Sequence, residues 1–163
     1  MNRGIDYYVS TEYAGNLNSF DCGFVVFNEY LKQDFLDDGA AVHYIINAND
    51  DSLIAYFSLL ASCIFVSNPD ENALPAIELK IFAIDKRYRN LNLSVQFLED
   101  IHDIVVGYLD YVGAKALILY SVPIEKVIEM YEKSAFVKMP ENFTMYRSKF
   151  SDGCVPMFKK LYI

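Results

Sequence analysis

The sequence is poor in the residues from which metal sites, disulfide frameworks and membrane spans are built. Its three cysteines, Cys22, Cys63 and Cys154, form no CxxC pair, and its two histidines, His43 and His102, lie far apart and off metal-ligand spacing. Reduced structural thiols and no metal site are expected, and nothing local supports a Cys nucleophile with a His base. The longest apolar run, from Leu53 to Val66, is broken by Tyr56, Ser58 and Ser62 and falls short of a membrane span. The opening Met1 to Asp6 lacks the apolar core of a signal peptide, so a cytoplasmic protein without a membrane partner is expected. Repeats, low-complexity segments and linkers are also missing. Cations are scarce: 14 Lys and Arg stand against 22 Asp and Glu, a net charge of −8. That balance argues against nucleic acid as a partner, since phosphate-backbone binding needs clustered Lys and Arg. It suits a cationic substrate such as an amine. Asp37-Asp38, Asp50-Asp51 and Asp70-Glu71 read as solvated loop charges.

What remains is an ordinary globular composition, 53% hydrophobic and 22% charged, long enough at 163 residues for one domain spanning residues 1–163. After an irregular start, Phe24, Phe27, Leu31 and Phe35 recur at helical spacing, with Asp21 as the expected N-cap. Residues 42–47 and Leu53 to Val66 read as an antiparallel hairpin about the turn Ala48–Ser52. A loop with Pro69, Asn72 and Pro75 precedes a strand from Ile77 to Ile84. Val95, Leu98, Ile101, Val105, Leu109 and Val112 predict a long helix closed by Gly113. A short apolar strand, Ala116 to Tyr120, and a helix from Pro123 to Ser134 follow. Phe136-Val137, Thr144 to Phe150 and Val155 to Tyr162 read as β. Strand–helix–strand between residues 77 and 120 implies one parallel crossover in a sheet otherwise built from hairpins. The expected class is a mixed α/β fold with a mostly antiparallel central sheet and helices on both faces.

The informative stretch is Ile77 to Leu98, in which a strand opens through residues 85–92 onto the long helix. A loop ending at a helix N-terminus presents unpaired N–H groups and the positive end of the dipole, an anion site suited to a pyrophosphate. Arg87 and Arg89 add positive charge beside it. An ordinary strand-to-helix loop is the plainer reading of this stretch taken alone.

Phe82-Ala83-Ile84-Asp85 and the Arg87-Tyr88-Arg89 that follows resemble the acetyl-CoA-binding motif of the GNAT (N-acetyltransferase) superfamily, Arg/Gln-x-x-Gly-x-Gly/Ala after an apolar strand. The resemblance implies that Phe82, Ala83 and Ile84 meet the pantetheine arm. It likewise implies that Arg89, Asn90, Leu91, Asn92, Leu93 and Ser94 cradle the pyrophosphate of acetyl-CoA. Asn90, Asn92 and Ser94 stand at the positions where the family has glycine. Asn is the non-glycine residue that best tolerates a left-handed backbone, and Ser94 adds a hydroxyl. Downstream, Glu129 to Phe136 resembles the signature Ala-x-x-Phe/Leu-Tyr-x-x-x-Gly-Phe, with Ala135 replacing glycine. It implies that Tyr131 is the general acid for the departing thiolate; otherwise Tyr131 continues the apolar face of its helix. Glu78, six residues before Ile84, stands at the offset of a catalytic glutamate in some members and is the candidate base, or else pairs with Lys80.

Phe20-Asp21-Cys22-Gly23 with Asn28-Glu29-Tyr30-Leu31 resembles the opening Phe-x-Cys-Gly…Leu-Asn-x-Phe-Leu of a GNAT branch that includes toxins acetylating aminoacyl-tRNA. The resemblances imply transfer of an acetyl group from acetyl-CoA to a small-molecule or peptide amine; the oligomeric state is left open, a homodimer among the options. Two alternatives stand beside this: a GNAT fold kept as a binding module without catalysis, and acetylation of aminoacyl-tRNA. Tyr7, Tyr8, Tyr13 and Tyr44 are available to line a substrate cleft or to pack the core.

Overall fold

A computed structural model describes residues 4–9, 13, 15–32, 39–66, 73–145 and 151–161, without the side chains of residues 90 and 91. The expectations for Phe35, Asp37-Asp38, Pro69, Asp70-Glu71, Asn72, residues 146–150 and Tyr162 lie outside the described residues. The chain divides into two compact units, one from Met1–Leu60 with Leu79–Leu93, the other from Ala61–Glu78 with Ser94–Ile163. Strands β3 (Leu53–Val66) and β4 (Ala73–Ile84) contribute residues to both.

In the first unit, β1 (Ile5–Val9) pairs antiparallel with β2 (Ala41–Asn47), and β2 pairs antiparallel with β3. The hairpin turns where predicted, and its register shifts by a bulge between Ile45 and Ile46. β1 is a strand where an irregular start was expected. Its short IDYYV run lacks turn signals on both sides, and only its partner β2 defines it. Ile45, Ala55, Tyr56 and Phe57 are fully buried in this unit. Helix α1 (Val25–Tyr30) is shorter than the apolar spacing suggests. Asp21 is not its N-cap. The chain turns at Gly23, with φ 81°, and the cap is Phe24 without a side-chain hydrogen bond.

In the second unit β4 pairs parallel with β5 (Ala116–Ser121) over Ala76–Glu78, the crossover expected from the strand–helix–strand order. β5 pairs antiparallel with β8 (Val155–Lys160), which also holds β6 (Val137–Lys138); β7 (Phe143–Met145) pairs with β3. Helix α2 (Leu93–Tyr108) buries Phe97, Leu98, Ile101 and Val105 on one stripe. It ends five residues before Gly113, and Val112 is exposed. The apolar spacing runs past the helix because Leu109 to Val112 continue it as turns, with Leu109, Tyr111 and Val112 N–H groups bonded to Val106 and Tyr108 carbonyls. Helix α3 (Glu125–Lys133) begins two residues past the predicted Pro123, with Ile124 as its cap. The architecture is a mixed α/β fold, mostly antiparallel with one parallel pair. Among the described residues no helix is long and apolar enough to cross a membrane.

Candidate functional site

Alternation along the end of β4 separates two faces. Leu79, Ile81 and Ala83 are buried, whereas Lys80, Phe82 and Ile84 are half-buried. The strand runs directly into a 3-10 turn over Lys86–Leu91, entered through Asp85 and left through Asn92. Asn92 has φ 52° and ψ 33°, the left-handed conformation for which glycine is the usual residue. Asn90, in contrast, lies within the 3-10 turn, where no left-handed backbone is needed. Leu93 and Ser94 open α2, both half-buried.

Asp85 organises the entrance. Its carboxylate is 1% exposed and accepts from the Arg87 backbone N–H at 2.9 Å, from Arg87 Nε at 2.9 Å and NH2 at 3.0 Å, and from the Asp21 N–H at 3.1 Å. Burial pushes the Asp85 acid up, but the hydrogen bonds from Arg87 and Asp21 outweigh it and hold the group below the ordinary carboxylate value. Asp21 reaches from the N-terminal motif. Its carboxylate pairs with Lys86 Nζ, accepts from the Gly23 N–H at 2.8 Å and from Asn28 Nδ2 at 2.9 Å, and its carbonyl accepts from the Lys86 N–H at 2.9 Å. The Lys86 hydrogen bond, then those from Gly23 and Asn28, hold Asp21 well below the carboxylate range. The Arg89 guanidinium donates to the Cys22 carbonyl, and it lies 3.5 Å from where a side chain on Gly23 would begin. Tyr88 completes the brace through a 2.7 Å hydrogen bond between its hydroxyl and Ser52.

Two segments more than sixty residues apart are thereby tied into one structure. The three cations of the turn are each engaged: Lys86 with Asp21, Arg87 with Asp85, Arg89 with the Cys22 carbonyl. The sequence reading missed this. Its one signal was the proximity of Asp85 to Arg87 in sequence; nothing local pointed Asp21 at the loop.

In the second unit Tyr131 lies on the last turn of α3 and is 8% exposed. The helix ends in a Schellman closure: the Phe136 N–H bonds to the Tyr131 carbonyl at 3.1 Å, and the Ala135 N–H to the Glu132 carbonyl at 3.0 Å. Ala135 occupies the position after the cap with φ 66°, where glycine is favoured. The apolar contact that accompanies such closures is an edge-on packing of Tyr131 on Phe136, with centroids 5.8 Å apart. The glycine and phenylalanine of the resembled signature thus have a local mechanical meaning: they end the helix and fix the tyrosine ring. Burial, and then the nearby Cys154, push the Tyr131 hydroxyl above the ordinary tyrosine value. Glu78 is 2% exposed and stands opposite Ile118 at the last parallel register position of β4 and β5. Three tyrosines of the first unit, Tyr8, Tyr13 and Tyr44, pack together. Tyr8 faces Tyr44 across β1 and β2, and the Tyr13 ring lies 6.4 Å from Tyr8 and 5.2 Å from the buried Tyr44.

No protein-family model and no curated protein matches the sequence. Solved structures do match. AtaTR bound with acetyl-CoA aligns over 96% of this chain and 94% of its own, at TM-score 0.74 and 15% identity. A tyrosine-to-phenylalanine mutant of KacT aligns over 97% and 95%, at TM-score 0.74 and 16% identity. AtaT complexed with acetyl-methionyl-tRNA aligns over 91% and 97%, at TM-score 0.70 and 19% identity. The chain therefore shares the fold of these structures.

Proposed function

We propose that the chain is an acetyl-CoA-dependent N-acetyltransferase that works by direct attack of an amine on the thioester. The observation that carries this reading is left-handed Asn92 at the junction with α2. The backbone keeps a conformation usually reserved for glycine although glycine is gone, as expected of a loop whose shape still has a use. Phe82, Ala83 and Ile84 offer the strand end for the pantetheine arm, with Phe82 and Ile84 half-buried and Ala83 buried between them. Arg89, Asn90, Leu91, Asn92, Leu93 and Ser94 form the phosphate cradle. Since the Lys86, Arg87 and Arg89 side chains are engaged, the pyrophosphate charge falls to backbone N–H groups at the first turn of α2 and to the Ser94 hydroxyl.

In the reaction the amine lone pair attacks the thioester carbonyl carbon, and the carbon–sulfur bond breaks. Glu78 accepts the proton that the ammonium must lose first. Tyr131 donates to the sulfur as it leaves, and the second proton of the attacking nitrogen, shed as the amide forms, restores the Tyr131 hydroxyl. Burial raises the tyrosine hydroxyl, and it raises a thiolate forming beside it for the same reason, so the proton remains transferable.

Titration with acetyl-CoA tests the reading. Stability should rise by about 2.7 kcal/mol at a hundredfold excess over Kd; no thermal shift at millimolar cofactor would leave a GNAT fold serving as a binding module. Tyr131→Phe should lower turnover by about a hundredfold with little change in cofactor affinity. Unchanged turnover would remove Tyr131 from the mechanism. A second reading, in which the amine belongs to an aminoacyl-tRNA, is favoured by the Phe20–Gly23 segment braced on the loop and by likeness to AtaT complexed with acetyl-methionyl-tRNA. Acetyl transfer to charged tRNA, measured against free amines and peptides, separates the two.

A further inference from the structure

The second unit holds a half-open cavity of about 520 Å3, within the range of small-molecule sites. Its wall is hydrocarbon: Ile64, Leu74, Met139, Phe143 and Phe158 turn toward it. Leu74, Met139, Phe143 and Phe158 are only partly buried, each packing on one side against the core around Ile64, Ala116 and Ile118. Among the described residues that line it, the charged ones are Lys115 and Lys160. In the β5–β8 ladder Lys160 stands opposite Ala116, and the Leu161 N–H bonds to the Lys115 carbonyl at 2.9 Å, so the two residues lie on neighbouring segments one register position apart. Among the described residues neither ammonium takes part in an ion pair. On a chain of net charge −8, two lysines lining one apolar cavity, neither of them ion-paired among the described residues, are a local inversion of charge. That combination of an oily wall and two lining lysines suits a molecule with a hydrocarbon tail and an anionic head.

We propose that this cavity binds a medium-chain aliphatic carboxylate, with the tail against Leu74, Met139, Phe143 and Phe158 and the carboxylate at Lys115 and Lys160. The tail supplies affinity through burial and the lysines supply choice of head group. The site does not depend on the acetyltransferase reading. Calorimetry with octanoate, decanoate and dodecanoate provides the test. Affinity should tighten by roughly fourfold for each added methylene, the equivalent of about 0.8 kcal/mol of buried CH2. Decanoate should bind more tightly than decanol. The double variant Lys115→Glu with Lys160→Glu, at exposed positions, should cost decanoate at least tenfold and leave decanol unchanged. No binding by any of the three acids, affinity independent of chain length, or equal loss of decanol and decanoate in the double variant would each overturn the proposal. So would abolition of decanoate binding by saturating acetyl-CoA, because the ligand would then occupy the cofactor's site.

Discussion

Asn92 and Ala135 stand at two positions where the resembled motifs carry glycine, and both hold a left-handed backbone, with φ 52° and 66°. The supports around them differ. Asn92 follows a turn whose entrance is pinned by the buried Asp85 and by Asp21, Lys86 and Arg87. Ala135 is held by two backbone hydrogen bonds that close α3 and by the Tyr131–Phe136 contact. A left-handed residue with a Cβ costs about 1–2 kcal/mol, eased for Asn by its short polar side chain. In the first case the residue type lowers the cost. In the second the tertiary packing of Phe136, 1% exposed, overrides it. A missing glycine in a motif is thus no evidence that the conformation is missing.

The largest expected effect comes from breaking the pinned side. Asp85→Asn should cost about 1.5–3 kcal/mol, because the charge-assisted hydrogen bonds from Arg87 and Asp21 are weakened while the half-exposed Arg87 stays solvated; chemical denaturation at neutral pH measures it. The pH dependence has a definite sign. Asp85 and Asp21 both have folded pKa values below their unfolded ones, so their contribution is complete above the ordinary carboxylate range and is lost as pH falls through it and below. Asp85→Asn should flatten that acid limb, and a variant with the wild-type acid profile would remove Asp85 from the brace.

A smaller loss, about 1 kcal/mol, is expected for Asn92→Ala, whereas Asn92→Gly should be close to neutral. Acetyl-CoA affinity should fall for the alanine and hold for the glycine. Equal behaviour of the two variants would show that backbone conformation at Asn92 is not what the loop requires. The smallest change has the opposite sign. Ala135→Gly should stabilise by roughly 0.5–1 kcal/mol, the strain relieved less the added freedom of glycine in the unfolded chain. Thermal unfolding checks it, and a destabilised variant would mean that the Ala135 methyl packs usefully.

Much of the fold was legible because periodicity is a local record. The hairpin alternates around a polar turn, the end of β4 alternates buried and half-buried positions, and α2 repeats its apolar residues at helical steps. The same local character misled at the edges. Apolar spacing continued past Tyr108 although the helix did not, and Asp21 had the chemistry of an N-cap although Gly23 turned the chain before a helix could start. β1 carried too little pattern of its own to be seen without β2.

The candidate site divides along the same line. The sequence by itself determined the residues of the loop, the asparagine able to sit left-handed before α2, and the tyrosine at the end of α3, since each depends on neighbours within a turn or two. Only the tertiary structure decided that Asp21 and Cys22 meet Asp85, Lys86 and Arg89, and that Lys115 and Lys160 line one apolar cavity. Those contacts join segments distant in the chain. Which segments meet follows from strand pairing and burial across a whole unit, for which no short stretch of sequence carries a signal.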